Sequence, residues 1–213
     1  MNNYYSRFFS FIAVLTIAII SSACSNVPKT QYYTLVSDNT ASDAAISHSG
    51  LLNTTGTSIG IGPLVIPNSL ENFSVISVKN NNNMVISPYH LWAGNLKANI
   101  NQVLADNISR SLNIDSVWAF PWDNRNRPKI QVRIVFEHFM GELGKSVTVQ
   151  TKWTILGDYG KEELKTIKTV ITEALPSSDY LAYVKALNIA LNKMSLIIAT
   201  ELSQLNIQTE KNP

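Results

Sequence analysis

Two stretches of the chain repeat apolar residues every three or four positions, which is the spacing of a helix with one buried face. The first begins near Asn95, whose side chain suits a helix N-cap, although Ser87-Pro88 offers an earlier start. The second runs from Asp179 to Gln204 and carries a continuous apolar stripe, so it must lie on a sheet or on a partner. The stripe consists of Tyr180, Val184, Leu187, Leu191, Met194, Ile198, Leu202 and Leu205.

The segment between these two helices alternates apolar and polar residues, as strands with one buried face do. Ile130–Phe136 and Val147–Ile155 alternate most regularly, and Glu163–Thr172 follows them. Turns at Gly141–Lys145 and Gly157–Gly160 join the three segments. This order predicts an antiparallel meander with one face in water.

Shorter β-prone runs lie before and after the first helix. They are Gln31–Val36, Ser58–Ile66, Val75–Lys79, Met84–Ser87 and Val117–Phe120. Asparagine tolerates positive φ, so the run Asn80–Asn83 predicts a hairpin. We therefore expect an α+β fold, in which a mostly antiparallel sheet carries two main helices packed on one face.

The N-terminal residues have the three parts of a secretory signal. A single arginine precedes the apolar run Phe8–Ile20, and the small residues Ser21–Ala23 follow it. The apolar run is too short to cross a membrane comfortably, which takes about 20 residues. We expect residues 1–23 to be a signal peptide and residues 24–30 to be a lipidated tether.

The only cysteine, Cys24, comes directly after these small residues. The sequence Ser21-Ser22-Ala23-Cys24 resembles a bacterial lipobox, in which the cysteine is diacylated and becomes the new N-terminus, although Ser21 stands where the pattern prefers leucine. Ordinary cleavage near Ala23 is the alternative, but it would leave an unpaired thiol in an oxidising compartment. Acyl chains on Cys24 would anchor the protein firmly. Ser25 follows the cysteine, and by resemblance to lipoproteins of double-membraned bacteria this favours the outer membrane.

The remaining residues, 31–213, are predicted to form a single domain, since the chain of 213 residues fits one ordinary domain. Residues 37–57 are rich in Ser, Thr, Asn, Asp, Ala and Gly and hold little to bury. We interpret this segment as a mobile loop within the domain.

Composition excludes several kinds of chemistry. The 17 basic and 15 acidic side chains nearly balance, which gives no support to nucleic-acid binding. One cysteine cannot form an intramolecular disulfide or a thiolate zinc site. The three histidines, His48, His90 and His138, show no metal-ligand spacing, and the chain lacks a GxSxG elbow, a P-loop and an HExxH motif. We therefore predict no catalytic residues, cofactor or metal.

Four local patterns have competing interpretations. Gly60–Pro63 indicates either close backbone approach or an edge strand. His90 precedes a predicted helix and is expected to make a structural hydrogen bond rather than to act in catalysis. Glu137-His138 imitates an acid–base pair, but neighbours on a strand point to opposite faces. The aromatic cluster Trp118–Trp122 suits either a lipid-facing or partner-facing patch or the core, and we favour Trp118 and Phe120 in the core with Trp122 at the sheet edge.

Several short motifs, taken in order, resemble one protein family. They are Tyr32-Tyr33-Thr34-Leu35 shortly after the cysteine, Ile59–Pro63 with Pro67 and Leu70, His90-Leu91-Trp92-Ala93 with Leu96, and Pro121-Trp122 followed by the two alternating strands. The set is similar to the auxiliary lipoproteins of membrane-lipid ABC/MCE transport systems, the PqiC-type intermembrane transport lipoproteins. Gly94-Asn95 departs from the acidic or proline residues often found at that place.

This resemblance implies a non-enzymatic envelope protein that is tethered to the outer membrane by acyl chains on Cys24, with its domain in the periplasm. Its implied partner is an MCE-domain protein that bridges the periplasm and carries lipid between the membranes, which supports membrane integrity. A homo-oligomer is compatible with this role. Two alternatives stay open: a periplasmic lipoprotein hydrolase, and a structural envelope lipoprotein that binds another assembly factor.

Overall fold

The computed structural model describes residues 28–38, 57–80 and 82–205. The strands in this part of the chain are β1 (Gln31–Tyr33), β2 (Ile59–Val65), β3 (Ser74–Lys79), β4 (Asn83–Trp92), β5 (Val117–Ala119), β6 (Ile130–Glu142), β7 (Ser146–Gly157) and β8 (Glu162–Ala174). The helices are α1 (Leu96–Leu112) and α2 (Tyr180–Ser203). The predicted signal peptide 1–23, the predicted lipidation site Cys24 and most of the predicted loop 37–57 lie outside the described residues.

Side-chain caps define where both helices begin. The Oδ1 atom of Asn95 accepts a hydrogen bond from the Ala98 N–H at 2.9 Å, and Asp179 does the same for the Ala182 N–H at 2.8 Å. The predicted N-cap at Asn95 is therefore confirmed. The alternative start at Ser87-Pro88 is wrong, because both residues lie inside β4.

Five strands form the larger sheet, in the order β5-β2-β6-β7-β8. The strands β6, β7 and β8 pair antiparallel along their length, as the alternating pattern predicted. Strand β2 instead pairs parallel with both β5 and β6. The inward side chains of β6 and β7 are all buried: Ile130, Val132, Ile134, Phe136, Val147, Val149, Thr151, Trp153 and Ile155.

A separate three-stranded sheet has the order β1-β4-β3. Strands β3 and β4 form the predicted hairpin, with Asn80 in the left-handed region at φ 54°. Strand β1 pairs parallel with β4. The α+β class is confirmed, with the correction that the strands form two mixed sheets rather than one mostly antiparallel sheet.

Both helices pack on the larger sheet and against each other. The predicted inner stripe of α2 is buried from Val184 to Leu202, and Leu191 is fully buried. In the described part of the chain α2 is long and apolar enough to cross a membrane, but more than half of it is buried in the domain, as in the core helix of a globular protein. The hydroxyl of Tyr183 joins the two sheets to α2, because it donates to the Ile76 carbonyl and accepts from the Gly141 N–H, both at 2.8 Å.

The glycine pair in β2 marks close approach and not an edge, since β2 lies between β5 and β6. A Cβ atom on Gly60 would lie 2.6 Å from Pro128 and 2.7 Å from the Trp122 ring. Gly62 has a φ of 118°, which side-chain-bearing residues rarely adopt. These two positions let the aromatic cluster cover the strand.

The burial of the aromatic cluster Trp118–Trp122 differs from the prediction. Phe120 is 44% exposed, so its predicted core position is wrong, and Trp118 is half-buried. Phe120 packs edge-on against Trp122, with 5.1 Å between the ring centres. The physical reason is that Phe120 follows the last residue of β5, the edge strand of the sheet, so its side chain lies at the rim although its N–H donates to the Ile61 carbonyl at 2.9 Å.

Candidate functional site

Residues 31–38, which lead from the N-terminal region into the domain, are hydrogen-bonded to β4, α1 and α2. Strand β1 lies beside β4, with Gln31 opposite His90 and Tyr33 opposite Trp92. The Ala93 N–H donates to the Tyr33 carbonyl at 2.8 Å and extends this pairing. The first residues of the domain are therefore fixed to the strand that leads into α1.

An aromatic stack joins this segment to the start of α2. The His90 ring lies on the Tyr180 ring with 3.9 Å between centres, and on the Tyr33 ring at 5.7 Å. The Tyr33 hydroxyl donates to Gln31 Oε1 at 2.6 Å and lies 2.8 Å from His90 Nδ1. Because the hydroxyl has one proton, this arrangement places the imidazole hydrogen on Nδ1, where it donates to the Tyr33 oxygen. The structural hydrogen bond expected for His90 is confirmed.

Electrostatics favour uncharged rings in the stack near neutral pH. Burial lowers the pKa of His90, which favours the neutral imidazole. The pKa of Tyr33 is raised by burial and further by the nearby Asp179 carboxylate and Tyr180. The pKa of Asp179 is itself lowered, first by the hydrogen bond from Ser177 and then by the Ala182 N–H. Histidine and tyrosine are therefore neutral while the capping aspartate is charged.

After β1, asparagine side chains take over the pairing of the backbone. Asn99 on α1 accepts from the Leu35 N–H at 2.8 Å and donates to the Leu35 carbonyl at 3.0 Å. Asn188 on α2 accepts from the Val36 N–H, also at 2.8 Å. Leu35 is buried, so these contacts satisfy backbone groups that would otherwise lose their hydrogen bonds to water.

The same helices hold the next two residues. Asn107 on α1 accepts from the Asp38 N–H at 2.8 Å and donates to Asn192 on α2 at 2.8 Å. The Arg110 guanidinium donates to the Asp38 carbonyl and to the Ser37 hydroxyl. The segment therefore lies between α1 and α2 and is bonded to both.

An open apolar groove of about 440 Å³ lies between this segment and α2. Four of its side chains are large, apolar and strongly exposed: Tyr32 at 66%, Val36 at 56%, Leu181 at 53% and Ile189 at 48%. Lys185 is the charged side chain that the described residues contribute to its lining. We call these four residues with Lys185 the groove face. Its chemistry suits contact with an apolar surface rather than a reaction.

The Glu137 carboxylate of the pair Glu137-His138 contacts neighbours on the sheet. Glu137 bonds Gln150 at 2.5 Å and lies 3.8 Å from Lys168 across the sheet. A bulge between Phe136 and His138 interrupts the strand there. In the described part of the chain, no three acidic, histidine or cysteine side chains come close enough to hold a metal ion.

Sequence reasoning found β1 and His90 but missed the asparagines that follow. Asn99 and Asn107 lie about two turns apart on α1. In a sequence, asparagines that bond another segment cannot be distinguished from asparagines that face solvent. Their role depends on a segment more than 60 positions earlier. The sequence feature that indicated this segment was the aromatic pair Tyr32-Tyr33, which predicted the strand β1.

The family model for the ABC-type transport auxiliary lipoprotein component matches residues 33–199, from β1 to the last turns of α2. The chain belongs to this family. The match spans the aromatic stack, the asparagine contacts and most of the groove face, and it confirms the resemblance seen in the sequence. The protein is thus a membrane-anchored accessory lipoprotein of a transport system, with its domain on the periplasmic side.

Solved structures show the same fold. The crystal structure of a protein described as uncharacterized has a TM-score of 0.64 at 18% identity and covers 82% of this chain and 99% of its own. That of a Xanthomonas campestris protein of the family DUF330 has a TM-score of 0.61 at 12% identity, with 82% and 96% covered. No curated protein sequence matches the auxiliary lipoprotein chain.

Proposed function

We propose that this lipoprotein is anchored to the outer membrane through Cys24 and serves as a non-enzymatic accessory subunit of an MCE-type system that moves lipid between the inner and outer membranes. The observation that carries this proposal is the family match, which spans 33–199 and so includes α1, most of α2 and most of the segment 31–38. The MCE-domain protein provides the apolar path across the periplasm. The accessory domain receives or guides the end of that path and so supports membrane integrity.

The geometry is compatible with a positioning role. The segment after the tether pairs with β4, and it is bonded to Ala93 just after that strand, to Asn99 on α1 and to Asn188 on α2. A domain fixed in this way keeps a constant orientation relative to the first residue after its tether. That property suits a subunit that must hold a partner at a defined place above a membrane.

The partner is tested by copurification from crosslinked membranes with the full-length tagged chain. We expect an MCE-domain protein among the captured proteins. The matched control is a C24S chain, which keeps the domain and loses the anchor, so it separates binding by the domain from colocalisation in the membrane. Capture of a different assembly factor by the wild type, with no MCE-domain protein, would favour the structural alternative.

Membrane choice is tested by density-gradient fractionation. Ser25 follows the cysteine, so the wild type should sediment with the outer membrane, and Ser25→Asp should retain more of the protein in the inner one. Wild type in the inner membrane would contradict the outer-membrane part of the proposal.

The absence of catalysis is tested in cells that lack the gene and are exposed to envelope stress. Replacement of His90 or His138 by glutamine keeps polarity and removes acid–base function near neutral pH. Both variants should restore resistance. A folded, correctly located and partner-bound variant that fails to do so would point to the hydrolase alternative.

A further inference from the structure

The groove face is an exposed apolar surface at the point where the tether enters the domain. Tyr32 belongs to β1, and Val36 follows on the segment that Asn188 bonds to α2. Leu181 lies in the first turn of α2, and Ile189 lies about two turns further along the same helix. The four exposed side chains therefore come from two elements that are fixed to each other.

We propose that the groove face docks on the surface of the lipid membrane that holds the anchor, so that the domain rests on the bilayer with α2 toward the lipid. The inference rests on the proposed function, because it requires the acyl chains on Cys24. It goes beyond that function by naming the surface that touches lipid and the orientation that follows.

The length of the tether is the first argument for a lipid occupant. Tyr32 follows Cys24 by eight positions, and a fully extended chain spans at most about 3.3–3.6 Å per residue, or about 28 Å in all. Tyr32 therefore stays within about one bilayer thickness of the acylated residue. At this distance the effective concentration of the membrane is high, so weak attraction is enough to hold the face down.

The composition of the groove face is the second argument. Aliphatic side chains such as Leu181 and Ile189 can enter the boundary between headgroups and acyl chains, where tyrosine also concentrates. Lys185 lies between them on α2, and its aliphatic stem lets the ammonium group reach lipid phosphates. A partner of this mixed chemistry is apolar inside and anionic at its surface, as a phospholipid bilayer is.

The opposite face of the larger sheet is unlike the groove face. Threonines pair across β7 and β8, with Thr148 and Thr172 at 3.1 Å and Thr154 and Thr166 at 2.7 Å. Val170 on β8 is exposed on this face at 62%, and Val65 on β2 and Val135 on β6 are exposed there at 52% and 43%. Val170 supplies a control position of similar exposure that lies away from the groove face.

The experiment uses the full-length lipidated protein in vesicles of phosphatidylethanolamine and phosphatidylglycerol. The acyl group occupies the Cys24 thiol, so Leu181→Cys introduces one reactive thiol for an environment-sensitive nitrobenzoxadiazole dye. Val170→Cys carries the same dye at similar exposure on the opposite face. We expect spin-labelled lipid to quench the dye at 181 severalfold more than the dye at 170, and aqueous iodide to show the reverse order.

Vesicle flotation separates this inference from the proposed function. Protein that floats while both dyes respond to iodide equally overturns the docked orientation and leaves the anchor intact. Protein that does not float overturns the anchor itself. A dye at 181 that is shielded from iodide but not quenched by spin-labelled lipid overturns the lipid occupant in favour of a protein, and a dependence on protein density identifies that protein as a second copy.

Lys185→Glu provides a second measurement that does not depend on labelling the apolar residues. The Lys185 side chain is exposed on α2, and the substitution reverses the charge that this position presents to the lipid. In vesicles rich in phosphatidylglycerol, Lys185→Glu should reduce the quenching of the dye at 181 by spin-labelled lipid severalfold. In purely zwitterionic vesicles, the quenching should be similar in the proteins with lysine and with glutamate at position 185. An unchanged signal in anionic vesicles would contradict the contribution of charge.

Discussion

Single residues of α2 divide sharply between core and surface. Leu191 is fully buried at the centre of the inner stripe, whereas Ile189, two positions earlier, is 48% exposed on the groove face. The difference follows from helix geometry, since two positions turn the side chain to the far side of the helix. It provides a pair of substitutions on one element that report on different surfaces.

Leu191→Ala should lower the free energy of unfolding by about 2–5 kcal/mol, because it removes buried methyl groups and leaves a cavity. Ile189→Ala is the matched control and should change the free energy by less than about 1 kcal/mol, as surface substitutions do. Urea unfolding of a chain that begins at Ser25 measures both. If Leu191→Ala unfolds like wild type but no longer captures a partner, the stripe is an interface and its assignment to the core is wrong.

His90 gives the domain a pH dependence whose sign follows from its surroundings. Burial lowers its pKa in the folded state below the ordinary value of 6.5, so the unfolded chain binds more protons between the two values. The free energy of unfolding should therefore fall as the pH falls through 6.5 and below. Unfolding measured between about pH 7.5 and 5.5 should show this loss in wild type and a smaller loss in His90→Gln. Equal losses in the two proteins would contradict this role for His90.

At the scale of elements, residues 35–38 are distinctive because side chains, rather than a neighbouring strand, bond their backbone. Asn99 pairs with both backbone groups of buried Leu35, and Asn188 pairs with the N–H of exposed Val36. Asparagine side chains thus make similar hydrogen bonds to a buried residue, Leu35, and to an exposed residue, Val36. Their energetic importance should differ accordingly, since buried groups without a partner are costly.

Asn99→Ala should destabilise the domain by about 1–3 kcal/mol and should increase amide exchange at Leu35, because its backbone groups lose their partners in a buried place. Asn188→Ala is the graded control, and its effect should be smaller since water can reach Val36. Hydrogen exchange followed by mass spectrometry measures both. Equal effects would contradict the importance of burial at Leu35.

Local periodicity explains why some elements could be predicted and others could not. The helix spacing located α2 and the N-cap Asn95, and strict alternation located β6 and β7, because both patterns lie within one element. Alternation reveals which side chains are buried but not which strand is the neighbour, so the parallel pairing of β1 with β4 was missed. The groove face escaped detection for a similar reason, since it joins positions 32 and 181.

At the scale of the whole molecule, the anchor remains a prediction from the sole cysteine and the small residues before it. Cys24→Ser should abolish labelling by a fatty-acid probe, because the thiol accepts the diacylglyceryl group. Lys29→Ala changes the tether but keeps the cysteine, so it should label like wild type. Equal labelling of wild type and Cys24→Ser would contradict lipidation at this position.

The contacts of the segment 31–38 also set an order of events during export. Val36 bonds a residue 152 positions later, and the Tyr33 hydroxyl meets a ring 57 positions later that stacks in turn on Tyr180. A chain that crosses the inner membrane N-terminus first cannot make these contacts until α2 has emerged. While most of the polypeptide is still in transit, the segment 31–38 therefore lacks its partners on α2. Closure of the segment onto α2 is therefore one of the last steps in folding of the domain, because it waits for residues near the end of the chain.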